Sequence, residues 1–152
     1  MQAITFEHFD LPDAEIDFAP AFFPPVEADR LFAAIRETSE WKQETIRLYG
    51  RSIDLPRLTA WYGDEGTGYV YSGIANIPLP WTPILLEVKQ AVEATMGATF
   101  NSVLLNRYRT GRDSVAWHAD DEKEFGDNPI IASVSLGATR TFQLRPKTRK
   151  DL

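Results

Sequence analysis

A chain of 152 residues fits one domain with a real core, and 43% hydrophobic against 25% charged residues argues against disorder. The absence of cysteine excludes disulfides and thiolate metal sites, and no apolar run approaches a bilayer span, so no membrane role is expected. A net charge of -6 excludes a protein that coats nucleic acid through bulk positive charge. No signal pattern opens the chain, and a reducing cytoplasm (or the nucleus in a eukaryote) is the expected home.

Residues 1–25 carry Pro12, Pro20, Pro24 and Pro25 with five acidic residues and no Lys or Arg, and are expected to form an extended arm. A helix is predicted from about Glu27 to Glu40, with Ala28, Leu31 and Ile35 on one face. Residues 41–62 predict strands around a turn at Tyr49-Gly50-Arg51, with a break at Pro56. Gly63-Asp64-Glu65-Gly66 reads as a loop and Tyr69-Val70-Tyr71-Ser72 as a short strand. The clearest helix runs from about Pro83 to Met96. Thr82 suits its cap, Pro83 its first position and Gly97 its stop, while Leu85, Val88, Val92 and Met96 recur at helical spacing.

Beyond it, Asn101–Tyr108, Val115–Asp120, Ile130–Leu136 and Thr141–Leu144 are β-prone runs separated by turn residues. Helices followed by short antiparallel strands predict an α+β chain built on a sandwich or barrel. The strand count falls short of the eight or so that a closed jelly roll uses. Arg107, Arg109, Arg112, Arg140, Arg145 and Arg149 crowd the last third, which allows a local basic face as readily as a mixed solvated surface. The four tryptophans, Trp117 included, are assigned to packing.

Two pairs of residues can carry chemistry. His118 and Asp120 stand two apart on a strand-like run, so an imidazole and a carboxylate would project to one side and share a metal. Two histidines and a carboxylate on one octahedral face is the arrangement of non-haem iron(II) oxygenases; an ordinary hydrogen-bonded histidine is the plainer alternative. Asn106 and Tyr108 likewise share a face, which suits a bound polar ligand or an internal hydrogen-bond network.

Taken in order, Asn106-Arg107-Tyr108, His118-Ala119-Asp120-Asp121-Glu122 and Ile131-Ala132-Ser133-Val134-Ser135-Leu136-Gly137 resemble the AlkB family of iron(II)/2-oxoglutarate dioxygenases. Upstream, Pro56-Arg57, Tyr62-Gly63-Asp64 and Tyr69-Val70-Tyr71-Ser72-Gly73 look like that family's nucleotide-recognition part. The resemblance covers roughly residues 24–146 and is greatest to the branch that repairs alkylated DNA. It implies a double-stranded β-helix (jelly roll) with N-terminal helices packed on one sheet. Residues 1–25 would be the arm and 26–152 the dioxygenase domain, with nucleotide recognition at about 41–75 and a partial jelly-roll core at about 100–146.

The implied function is Fe(II)/2-oxoglutarate-dependent demethylation of bases such as 1-methyladenine and 3-methylcytosine in DNA, with RNA as an alternative, by a monomer. By this resemblance His118 and Asp120 are iron ligands, and Asn106 and Tyr108 hydrogen-bond 2-oxoglutarate. Tyr69, Tyr71 and Ser72 line the lesion pocket, and Asp121 and Glu122 sit beside it, where acidic groups favour a cationic base. Tyr49 is the hairpin wedge beside the flipped nucleotide, and Arg51 and Arg57 are phosphate contacts, surface charge being their plainer reading.

The chain departs from the family pattern. It has two histidines, and His8 lies in the acidic arm, so the family's second iron-binding histidine and its two C-terminal arginines have no counterpart here. The chain is therefore expected to be a C-terminally truncated piece of an incomplete jelly roll. A non-catalytic nucleic-acid-binding remnant is the alternative reading.

Overall fold

The computed structural model describes residues 4–11, 14–71, 74–120, 126 and 128–146. It divides into two compact units, residues 1–33 with 135–152, and residues 34–134.

In the first unit, the stretch expected as an extended arm carries an antiparallel hairpin, β1 (Glu7–Leu11) and β2 (Ala14–Phe18). The cause is a period-2 pattern on both sides of Pro12-Asp13, which the proline count obscures. Phe9 faces Ile16 and Leu11 faces Ala14 on one side of the ribbon; His8 faces Asp17 and Asp10 faces Glu15 on the other. Helix α1 (Pro25–Thr38) follows, two residues ahead of the predicted start and end. Proline at the first helical position loses no helix bond, since that amide has no partner in any helix. Leu31 is fully buried and is the anchor of the predicted face.

The second unit is built on a long strand. β3 (Lys42–Leu48) and β4 (Arg51–Gly63) form a hairpin closed by Tyr49 and Gly50, with φ of 49° and 76°. Positive φ at both central residues matches the twist of the flanking strands, and glycine takes it without strain. The β3–β4 register shifts between Gln43 and Thr45, opposite Pro56. Proline has no amide to give the ladder, so the strand bulges there, as the predicted break implied.

β4 also pairs antiparallel with β8 (Ser102–Arg107), Leu58 through Gly63 lying opposite Arg107 through Ser102. A two-residue strand β7 (Leu79–Pro80) adds to β4 in parallel, while β5 (Tyr69–Tyr71) and β6 (Ile74–Asn76) make a separate small hairpin. Helix α2 (Pro83–Met96) has the predicted bounds. Thr82 Oγ1 accepts from the Leu85 amide, and Gly97 ends the helix at φ 66° with its amide on Glu93 O. Leu85 and Val92 are buried as predicted, and Met96 is exposed.

The core of this unit gathers Ala60, Tyr62 and Leu85, with Trp41, Trp81, Val103 and Leu105 packed against them. Tyr62 is 2% exposed, and its hydroxyl accepts from the Glu40 amide at 2.8 Å, satisfying both groups.

The predicted runs 115–120, 130–136 and 141–144 do not form strands, and among the described residues no strand follows β8. A β-prone run becomes a strand only when a neighbour completes its ladder, and here β4 is engaged by β3, β7 and β8. Trp117 is accordingly not in the core: it is 52% exposed. The architecture is α+β, with mixed sheets and two helices. No helix among the described residues is long and apolar enough to cross a membrane.

Two expectations follow from these contacts. His8 Nδ1 lies 2.9 Å from Asp17 Oδ1, and this hydrogen bond, aided by the Asp17, Glu15 and Asp10 charges, raises the His8 pKa above the ordinary imidazole value. A raised folded-state value means the contribution is complete below the unfolded pKa and is lost as pH rises through the folded one. An NMR titration of the His8 ring is expected to show the raised value, and Asp17→Asn to lower it; identical titrations would refute the contact. Tyr62→Phe leaves the Glu40 amide without its acceptor and is expected to cost about 1–3 kcal/mol in urea unfolding.

Candidate active site

The site residues are set by β4, β8 and the segment that follows β8. Asn106 lies near the end of β8, opposite Thr59 of β4, and Tyr108 follows the strand directly. Two positions earlier than Thr59, Arg57 shares its face, and its Nε donates to Asn106 Oδ1 at 2.8 Å. The structure thus joins two residues that the sequence reading assigned to separate tasks.

After Tyr108 the chain turns back sharply. Asp113 is 8% exposed and closes this turn: its Oδ2 accepts from the Arg109 backbone amide at 2.9 Å and from Arg109 Nε at 2.7 Å, and its Oδ1 from Nη2 at 3.2 Å. This fork against a carboxylate is the strongest geometry open to arginine, and the Asp113 hydrogen bond raises the Arg109 pKa further. The Ser114 amide donates to Pro56 O at 2.9 Å, which ties the segment leading to His118 to the bulge of β4.

His118 and Asp120 do come together, although no strand holds them. His118 Nδ1 is 2.8 Å from Ala116 O, and Nε2 is 3.7 Å from Asp120 Oδ1. A carbonyl only accepts, so Nδ1 carries the proton and Nε2 keeps its lone pair. An imidazole whose far nitrogen is fixed on a carbonyl is what a metal-ligating histidine requires. Adjacent ligands on an octahedral ion with bonds of about 2.1 Å lie about 3 Å apart, so the pair fits a shared metal after a small closure. Both side chains are roughly half exposed and accessible to an ion. Among the described residues no group of three or more His, Asp or Glu side chains gathers as a metal site would require.

The remaining expected residues fall elsewhere. Tyr49 is 97% exposed at the tip of the β3–β4 hairpin, with Arg51 opening β4 beside it. Tyr69 and Tyr71 lie on β5, paired with β6. Ser72, Asp121 and Glu122 lie outside the described residues. A cleft of about 250 Å³, lined by Glu40, Lys42, Glu44, Thr59, Trp61 and Leu79 among others, includes none of the expected site residues.

Sequence reasoning missed Gln43, Arg109 and Asp113. The one available signal was Asp113 itself, an acidic residue four after Arg109 across a Thr-Gly turn. Asp113→Ala is expected to destabilise by about 1.5–3 kcal/mol in denaturant unfolding, because it strips a guanidinium and a backbone amide of their acceptor; a change below about 0.5 kcal/mol would contradict the role given to it.

Comparison with known proteins agrees with this geometry. The sequence pattern of the 2OG-Fe(II) oxygenase superfamily matches residues 15–152. The chain is 46% identical over 129 residues to the human alpha-ketoglutarate-dependent dioxygenase alkB homolog 3, covering 84% of this chain and 44% of that protein. It is 40% identical over 128 residues to the Mus musculus DNA oxidative demethylase ALKBH2, covering 82% and 54%. With the Arabidopsis thaliana DNA oxidative demethylase ALKBH2 it shares 40% over 142 residues, covering 91% and 45%. The chain spans about half the length of the curated relatives it matches. By this match and this degree of identity, the chain belongs to the 2OG-Fe(II) oxygenase superfamily, on its AlkB branch.

Proposed function

We propose that the protein demethylates alkylated bases of the 1-methyladenine and 3-methylcytosine type in DNA, as an Fe(II)/2-oxoglutarate-dependent dioxygenase of alkylation-damage repair. The observation that carries this reading is the His118–Asp120 pair with the imidazole tautomer set by Ala116 O. Relatives named as DNA oxidative demethylases support DNA as the substrate and demethylation as the reaction; the base type follows from the resemblance to the repair branch.

In this reading His118 Nε2 and Asp120 hold iron(II), and Asn106 and Tyr108 hold 2-oxoglutarate. Bound iron(II), with oxygen and 2-oxoglutarate, supplies the oxidation that turns an N-methyl group into a hydroxymethyl group, which leaves as formaldehyde. The rest is done by the chain. The Asn106 amide donates to a carboxylate of the co-substrate, which is a charge-assisted bond. Tyr69, Tyr71 and Ser72 receive a base taken out of the stack, with aromatic faces replacing its lost neighbours. Asp121 and Glu122 favour a base that carries a positive charge. Tyr49, at the exposed hairpin tip, fills the gap left in the duplex, and Arg51 and Arg57 meet phosphate oxygens. The jelly roll is the fold proposed for the dioxygenase domain of residues 26–152, and a cytoplasmic or nuclear monomer its working form.

The test is release of formaldehyde from an oligonucleotide carrying 1-methyladenine or 3-methylcytosine, given iron(II) and 2-oxoglutarate. His118→Ala and Asp120→Ala are each expected to lower the rate by about 100-fold or more. Full activity in either variant sinks the assignment.

A further inference from the structure

Arginine only donates, so the contact from Arg57 Nε fixes which end of the Asn106 amide faces it: Oδ1 is taken, and the NH2 group is left to donate elsewhere. The orientation of Asn106 is therefore set by the position of Arg57. Arg57 in turn follows Pro56 in β4, opposite the Gln43–Thr45 step, where the β3–β4 ladder is interrupted and the backbone has lost its regular partners.

What restores order there is the side chain of Gln43. Its Nε2 donates to Leu55 O at 2.7 Å, with Glu44 O at 3.2 Å and Arg57 O at 3.4 Å also in reach, and so bridges the bulge where the ladder is interrupted. Its Oε1 accepts from Arg109 Nη1 at 3.2 Å. Arg109 is held by the buried carboxylate of Asp113. A chain of directed contacts thus runs from Asp113 through Arg109 and Gln43 to the backbone at Arg57, and from the Arg57 guanidinium to Asn106. The guanidinium and amide contacts in it are directed, which restricts the last member.

We propose that Gln43 is a positioning residue which, through Arg57, fixes the Asn106 side-chain amide so that its NH2 group is presented to a carboxylate of the co-substrate. The proposal rests on the function given above for the second half of its statement, the presentation to 2-oxoglutarate. Its first half, the fixing of Asn106, stands on the contacts alone. Arg57 then acts on the co-substrate through Asn106, besides any contact its outer nitrogens make with phosphate.

Gln43→Glu is the discriminating change. It keeps the size and the Arg109 contact but places an oxygen where the Leu55 and Arg57 carbonyls need a donor. Gln43→Asn keeps the amide and shortens its reach, so it serves as a gentler second variant. In the 15N-labelled full chain, both substitutions are expected to shift the Asn106 side-chain amide resonances, Gln43→Glu the more. Unchanged resonances in both variants overturn the proposal, whether or not the protein turns over substrate. In the kinetic assay, Gln43→Glu is expected to raise the KM for 2-oxoglutarate about tenfold, with kcat and the KM for the oligonucleotide within about twofold of the parent. A rise confined to the oligonucleotide KM, or a joint fall of all parameters with the thermal midpoint, also overturns it. If the parent chain shows no turnover but Asn106 responds, the functional reading fails while the positioning of Asn106 by Gln43 holds.

Discussion

The ladder between β4 and β8 is the constraint on which the second unit depends. Six consecutive residue pairs, Leu58 opposite Arg107 through Gly63 opposite Ser102, lock two segments that are about forty to fifty residues apart in sequence. One face of that ladder is apolar: Ala60 and Tyr62 of β4 and Val103 and Leu105 of β8 meet Leu85 of α2. Thr59 pairs with Asn106 and sets where that amide emerges. A slip of one residue would send Asn106 into the apolar face and Leu105 out of it, so the burial of the core fixes the register of the site. The price of locating a polar site on a core strand is thus met by the packing beneath it.

The bulge at Pro56 looks at first like a weakness in the same strand. Proline withdraws a donor, the β3–β4 register shifts, and carbonyls at Leu55, Pro56 and Arg57 need partners. The structure gives each one: Gln43 Nε2 serves Leu55 O and Arg57 O, and the Ser114 amide serves Pro56 O. These replacement partners come from β3 and from the segment after β8. The interruption therefore becomes the point where the hairpin strand, the ladder and the approach to His118 are joined. A regular strand would have bonded only to its neighbours and lost the Ser114 tie to the segment after Tyr108.

Much of this was legible in the sequence where local chemistry decides the outcome. Helix α2 is bounded by Thr82, Pro83 and Gly97 because capping and backbone freedom act over one turn. The Tyr49-Gly50 turn and the Pro56 break are equally local. His118 and Asp120 lie 3.7 Å apart without the strand expected to align them: a short loop, with the ring braced on Ala116 O, brings them together. The failures are non-local. Runs 115–120, 130–136 and 141–144 have strand-forming side chains, but pairing depends on a neighbour that propensity cannot reveal. Trp117 was placed inside by alternation along a strand that does not form. The first hairpin was hidden by its prolines, since an alternating pattern of only five residues on each side is easily overlooked. Gln43 gave no motif, because its importance arises from a fold that brings residue 43 to residue 109.

Charge sets a last condition on the proposed activity. At a net charge of -6 this chain repels a polyanion at long range, so the proposed capture of DNA does not rest on diffuse attraction to it. On the proposed reading, binding rests on stacking of an extruded base on aromatic faces, which salt weakens little, and on a few phosphate contacts, which salt weakens more. An enzyme seeking rare lesions gains from that division. Weak non-specific attraction keeps it from being held by undamaged strands, while a cationic methylated base adds attraction to an acidic surround that an ordinary neutral base does not. The same negative charge that rules out a coating protein suits one that must leave normal DNA quickly and pause where a base carries a positive charge.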